Sequence, residues 1–211
     1  LVLYCLLFRQ NVGNRMDLMQ DKAQLRMKLR EIRQAITPEK RKRYEDDIAE
    51  RLYSLPAVKN ANVIGVYSAL GSEASVVDLV KALRLNPPGP TIAYPVVHGD
   101  GLMTFFAIEP GMSAVFVDNP AQVVPLESLP KDGIVRASSI DLLLVPGVGF
   151  DEKCRRLGQG GGYYDRFLPS VKDDCIVVGV AFDEQICEAI PTGPHDRKVD
   201  YVVTPTRIIR K

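Results

Sequence analysis

A chain of 211 residues, 46% hydrophobic and 25% charged, is long enough to bury a core. Its net charge of +1 gives no whole-chain attraction for nucleic acid or an anionic membrane, and neither is expected as a partner. Four cysteines (Cys5, Cys154, Cys175, Cys187) without a C-x-x-C pair, and only two histidines (His98, His195), argue against a zinc site and suit a reducing compartment. Cytoplasmic localisation is therefore expected.

The stretch from 1 to 15 contains a short apolar run, too short to span a bilayer, with two arginines, no acid and no serine. It reads as a tag, an extended start ahead of Met16 or Met19, or a transit-peptide remnant, which would point to the mitochondrion. Residues 1–18 are accordingly treated as a peripheral extension, and a single α/β domain is expected over 19–211. From Asp21 to about Ala35, Leu25, Leu29, Ile32 and Ile36 form one apolar stripe, predicting an amphipathic helix. Thr37 and Pro38 suit the cap and first position of a second helix. "NVIGVY" (62–67) reads as a buried strand, and Ser75 with Asp78 as the cap of the helix "VVDLVKAL". "TIAYPVV" and "LMTFFAI" are strands around the turn at His98–Gly101, followed by a Pro- and Gly-marked connection to Ser139. "IDLLLVP" (140–146), "CIVVGVAF" (175–182) and "YVVT" (201–204) are further apolar strands, and Pro169 closes a short helix begun by "YYDRF". The alternation predicts a three-layer α/β/α sandwich with a mainly parallel, mixed, Rossmann-like sheet. The loops at 68–75, 146–162 and 183–198 all follow strands and so share the edge where such sheets bind ligands.

The most informative stretch is "RRLGQGGGYYDRFL", Arg155 to Leu168, with glycines at 158, 160, 161 and 162. Four glycines in five positions suit a backbone that something must approach closely. The spacing fits neither the dinucleotide G-x-G-x-x-G nor the Walker loop, since no Gly-Lys pair exists in the chain. Successive glycine N–H groups can still face an anion, with Arg155 and Arg156 before them and Asp165 after to hold a bridging cation. From the residues alone this is a nucleotide-phosphate site of no standard type, or a structural turn.

Taken together, "PGVGFDEKCRRLGQGGGYYDR" resembles the signature of the 5-formyltetrahydrofolate cyclo-ligase family, with Pro146, Gly147, Gly149, Phe150, Asp151, Arg156, Leu157, Gly158, Gly160, Gly162, Tyr163, Tyr164 and Asp165 in its fixed places. The family's amino-terminal Lys-x-x-x-Arg is matched by Lys22 and Arg26. Its folate-side Ser-x-x-x-x-Glu is matched by Ser68 and Glu73, and its late His-Asp-x-x-x-Asp by His195, Asp196 and Asp200. The resemblance covers about Lys22 to Ile209.

It implies an ATP- and Mg²⁺-dependent conversion of 5-formyltetrahydrofolate to 5,10-methenyltetrahydrofolate with release of ADP and phosphate. The γ-phosphoryl group activates the formyl oxygen and the 10-nitrogen then attacks. Such chemistry needs positioning and charge stabilisation more than a covalent nucleophile. The resemblance assigns catalytic roles to Lys22, Arg156 and Tyr163. ATP would contact Lys22, Arg26, Arg156, Leu157, Gly158, Gln159, Gly160, Gly161, Gly162, Tyr163 and Tyr164. Folate would contact Ser68, Glu73, Tyr163 and the loop from Gln159 to Gly162, while Asp165 and Asp196 would hold Mg²⁺. No histidine base is called for, and a monomer is expected. Taken singly, each residue has a plainer alternative: a solvated helix face for Lys22 and Arg26, packing for the tyrosines, a helix-dipole partner for Asp165 and a turn former for Asp196. Two departures stand out. Some relatives carry Lys where Gly161 stands, which leaves open whether Arg155 replaces that cation, and many have Thr where Val76 stands, leaving Ser75 to cap the helix. A sugar-phosphate isomerase-like enzyme and a catalytically silent folate- or nucleotide-binding module are the competing readings.

Overall fold

The computed structural model describes residues 15–85, 88–112, 114–193 and 196–211. His195 and the stretch 1–14 lie outside the described residues, and the chain is helical from Arg15 onward. Helix α1 (Arg15–Gln34) lays Leu25, Leu29 and Ile32 against Val148, Leu157 and Ile190, so the predicted stripe is the face that anchors it. Ile36 departs from the stripe: it follows the end of α1 and packs in the main core with α2 (Pro38–Ser54). Thr37 caps α2 as expected, its hydroxyl accepting from the Lys40 N–H at 3.3 Å.

The short helix α3 (Pro56–Asn60) leads into β1 (Val63–Gly65), followed by α4 (Val77–Arg84), β2 (Thr91–Val97) and β3 (Met103–Ala107). A one-turn helix α5 (Val115–Asp118) and the two-residue β4 (Ile134–Val135) precede β5 (Leu142–Pro146). Next come the hairpin of β6 (Gly149–Asp151) and β7 (Arg156–Leu157), then α6 (Tyr163–Phe167), β8 (Ile176–Val180), β9 (Ile186–Cys187), β10 (Tyr201–Val203) and β11 (Ile208–Arg210). The main sheet has eight strands in the order β11-β10-β8-β5-β1-β2-β3-β4. β10, β8, β5, β1 and β2 run parallel; β3 and β11 run antiparallel to their neighbours β2 and β10, and β4 pairs antiparallel with β3 at the edge. This is the mixed α/β sandwich that the alternation predicts.

Side chains along β5 show why its apolar run has no polar gap. Leu142 and Leu144 face a core shared with α2, α3 and α4, while Leu143 and Val145 face the opposite core with Phe150, Phe167 and Leu168. That second face is covered by α6 and by a small sheet of order β7-β6-β9. The start of α4 differs from the cap that the sequence predicts. The N-cap is Val76 without a side-chain bond; Ser75 Oγ accepts only from the Val77 N–H at 3.3 Å, and the Ser75 N–H is taken by Glu45 at 3.0 Å.

Candidate active site

The loops after β1, β5 and β8 meet at the carboxyl edge of the sheet, as the topology requires of parallel neighbours. They enclose a cleft of about 390 Å³. Lys22, Arg26, Ser68, Glu73, Arg156, Leu157, Gly158, Gln159, Gly160, Gly161, Gly162, Tyr163, Tyr164, Asp165 and Asp196 all line it. The cleft also has an apolar wall that sequence reasoning missed, made of Tyr67, Leu70, Pro95, Val97, Met103, Pro120 and Ala121. On β2 and β3 such residues look like ordinary core, and only their position beside the cleft distinguishes them. Sheet order puts charged side chains near β5 and β8 and the apolar wall near β2 and β3.

Burying the Leu25–Leu29–Ile32 stripe turns a flanking row of α1 cations toward the loops. Lys22 pairs with Asp196, and the Arg26 Nε donates to the Gly158 carbonyl at 2.8 Å. Burial, and then the neighbouring Arg30, lower the Arg26 pKa, while Asp196 and Asp165 oppose the shift. The Arg156 side chain is 4% exposed. Its Nη2 donates to Asp165 Oδ1 at 2.6 Å, its Nη1 to the Pro146 carbonyl at 3.3 Å, and its guanidinium lies 5.5 Å from the Tyr164 ring centre. Its buried Nε, like the Ser68 Oγ, has no hydrogen-bond partner among the described residues. A buried polar atom without a partner costs free energy, which a water or a polar ligand would relieve.

Two carboxylates stand on the cation side. Asp196 Oδ2 accepts from Lys22 and from the Gly193 N–H at 2.6 Å, and Asp165 Oδ1 accepts from Arg156. Among the described residues no group of three or more His, Cys, Asp or Glu could hold a metal. Two aspartates nonetheless fit Mg²⁺, which takes one or two protein carboxylates and completes its shell with phosphate oxygens and water.

The third carboxylate, Glu73, is 5% exposed. Its Oε2 accepts from the Leu70 N–H at 3.0 Å, closing its own loop, and its Oε1 accepts from Gln159 Nε2 at 2.9 Å. The glycine loop therefore touches the loop after β1 through a side chain. Gly160 has φ of +110° and Gly162 φ of +69°, backbone states that L side chains rarely adopt.

Arg155 does not supply the cation expected of it. It is absent from the cleft lining, and its Nε is bonded to Asp151 Oδ2 at 2.5 Å. Asp151 is fully buried and also accepts from the N–H groups of Lys153, Arg155 and Ile190, so it pins the β6–β7 hairpin beneath the glycine loop. The Gly161 neighbourhood has a different cation: Arg166 Nη2 donates to the Gly161 carbonyl at 2.6 Å and its Nε to the Gly101 carbonyl at 3.0 Å. His98 is buried between the Val124 carbonyl and Thr104 Oγ1, where it is part of the scaffold. Cys154 is also buried, and desolvation pushes its thiol up to about 11, which makes it a poor nucleophile.

The profile of the 5-formyltetrahydrofolate cyclo-ligase family matches residues 18–205. The 5-formyltetrahydrofolate cyclo-ligase of Escherichia coli K12 is 30% identical over 183 residues, 85% of this chain and 98% of the relative. The cyclo-ligase of Mycolicibacterium smegmatis is 29% identical over 153 residues, 70% of this chain and 76% of the relative. The solved 5,10-methenyltetrahydrofolate synthetase of Aquifex aeolicus superimposes with a TM-score of 0.73 at 29% identity, covering 90% of this chain and 92% of that one. With the cleft lined by the signature residues and the profile spanning nearly the whole domain, the chain belongs to the 5-formyltetrahydrofolate cyclo-ligase family.

Proposed function

We propose that this chain closes 5-formyltetrahydrofolate to 5,10-methenyltetrahydrofolate, consuming ATP with Mg²⁺ and releasing ADP and phosphate. The observation that carries the reading is a single cleft holding the α1 cations, the glycine loop and Arg156 together with Glu73, Ser68 and an apolar wall. A triphosphate and a flat, hydrogen-bonding ring system need those two kinds of surface side by side.

The formyl oxygen of an N-formyl amide is a poor leaving group. Passing the γ-phosphoryl group to it makes a phosphate leaving group, and attack of the 10-nitrogen on the carbon then closes the ring and expels phosphate. The barrier is lowered by holding the partners in line and neutralising charge that spreads over the phosphoryl oxygens. Lys22, Arg26 and Arg156 carry that charge in this reading, with the unpartnered Arg156 Nε as a ready donor. Asp165 and Asp196 would hold Mg²⁺, which would supply further neutralisation of phosphate charge. Glu73 accepts from N–H groups of the pterin through its remaining lone pairs, Ser68 Oγ takes a polar edge of the substrate, and Tyr163 presents its ring to it. Every residue named comes from one chain, so the reading needs no partner copy.

The test is to incubate the purified protein with 5-formyltetrahydrofolate, with and without ATP and Mg²⁺, following methenyl absorbance and nucleotide products. Methenyl product that requires both, with ADP and phosphate formed in equal amounts, is expected. Full-rate product without nucleotide, or AMP and pyrophosphate, would refute it.

A further inference from the structure

The row of cations on α1 does not stop at the nucleotide side. Arg30 stands one turn beyond Arg26 and Arg33 nearly another, so Lys22, Arg26, Arg30 and Arg33 share one face of a single helix. The first pair meets Asp196 and the Gly158 carbonyl; of the second pair, Arg30 meets the glycine loop at Gln159 and Arg33 the loop that carries Glu73. Arg30 Nη2 donates to Gln159 Oε1 at 2.6 Å and to the Gln159 carbonyl at 3.2 Å, with Nε also 3.2 Å from Oε1. Arg33 is buried, and its Nε donates to Ser72 Oγ at 2.9 Å, next to Glu73.

Gln159 connects the two groups, and its amide has only one workable direction. Arg30 can only donate and an ionised Glu73 can only accept, so the amide oxygen must face the guanidinium and the amide nitrogen the carboxylate. The sequence Arg30–Gln159–Glu73 is thus a polarised relay from α1 through the glycine loop to the folate-side carboxylate. Arg30 lies outside the cleft lining and so acts through its neighbours.

We infer that Arg30 is a positioning residue that, through Gln159, couples nucleotide binding at the glycine loop to the orientation of Glu73, so that ATP and 5-formyltetrahydrofolate bind with mutual synergy. The inference rests on the ATP- and folate-binding reading of the cleft. A nucleotide that orders Gly158–Gly162 also fixes Gln159, and a fixed Gln159 presents Glu73 in one geometry. By linkage, folate bound at Glu73 must then favour nucleotide to the same degree.

Calorimetric titration tests it with a non-hydrolysable ATP analogue and 5-formyltetrahydrofolate, each in the absence and presence of the other. For the wild type, each ligand should tighten the other roughly five- to tenfold, the lower part of the usual range for coupled sites. Arg30→Ala should bring that ratio to about one, and Arg30→Lys, which keeps charge but loses the fork, should fall between. Both affinities are measured on the same variant, so a general loss of stability cancels from the ratio. A wild-type ratio near one would overturn the coupling, and an Arg30→Ala ratio unchanged from a larger wild-type value would overturn the role of Arg30, in either case leaving the ligand assignment standing. Failure of the wild type to bind either ligand would overturn both.

Discussion

Glu73→Gln preserves size and removes a charge, yet the structure makes it more than a charge probe. The wild-type carboxylate accepts from the Leu70 N–H and from Gln159 Nε2. An amide in its place can accept only one of the two, so its own nitrogen must face either the Leu70 N–H or the Gln159 nitrogen. Turning Gln159 over would only move the conflict, since its nitrogen would then face Arg30. One unsatisfied donor in this partly buried pair costs about 1–2 kcal/mol, which lowers Tm by about 2–8 °C for a chain of this size. If Glu73 also accepts from the substrate, loss of that charge-assisted bond weakens 5-formyltetrahydrofolate binding roughly ten- to hundredfold. The swap Glu73→Gln/Gln159→Glu separates these effects. An amide nitrogen at 73 then faces a carboxylate at 159, which still meets Arg30, so Tm should recover most of the loss while folate affinity stays low. Thermal melts and folate titration of both variants decide. Recovery of folate affinity in the swap would show that charge at position 73 is not what the substrate requires, and an unchanged Tm in Glu73→Gln would refute the hydrogen-bond accounting.

Other expectations follow from the same geometry. Asp165→Asn and Asp196→Asn should each lower turnover and respond to added Mg²⁺, with the double variant losing less than the product of the single losses; fully multiplicative losses with no Mg²⁺ response would mean the two do not share an ion. Gly160→Val, attractive from sequence as a pure block on phosphate, also forces a β-branched residue to φ of +110°, so its Tm should fall along with ATP affinity. Gly161→Ala is the cleaner probe, because φ is not positive there and the added Cβ meets only the Tyr163 ring at 3.1 Å; an unchanged apparent ATP constant would count against a phosphate role for the loop. Asp141 has its pKa lowered, first by the Lys172 hydrogen bond, with burial opposing and the Val63 and Asn62 N–H groups assisting. A depressed carboxylate stabilises the fold above its unfolded pKa and stops doing so as pH falls through the folded value. The Tm advantage of wild type over Asp141→Asn should therefore be full at neutral pH and vanish in acid; an advantage that persists there would refute the assignment.

Much of the fold was legible because its signals are local. The apolar run of "IDLLLVP", the Leu25–Leu29–Ile32 part of the α1 stripe and the Thr37–Pro38 cap each depend on residues close in sequence, and each takes its expected form. Strands β4, β7 and β9, two residues each, are too short for periodicity to show, and β6 is hidden within the signature stretch. In the cleft, residues whose chemistry is unusual for their context stood out, whereas Pro95, Val97 and Met103 look like ordinary strand residues and become wall only through the antiparallel pairing of β2 with β3. Arg155 was misjudged for the opposite reason. Its neighbours in sequence suggest a phosphate ligand, but a hairpin turns it back onto Asp151 four positions earlier, a contact that only the β6–β7 geometry reveals.

The central claim is that the formyl oxygen leaves as part of phosphate. It is tested most directly by preparing 5-formyltetrahydrofolate with ¹⁸O in the formyl group and analysing the phosphate released during single-turnover reaction with ATP and Mg²⁺. The account predicts one labelled oxygen in each phosphate formed, at a rate matching the rise of methenyl absorbance. Methenyl product accompanied by unlabelled phosphate, with the ¹⁸O recovered in water, would contradict it.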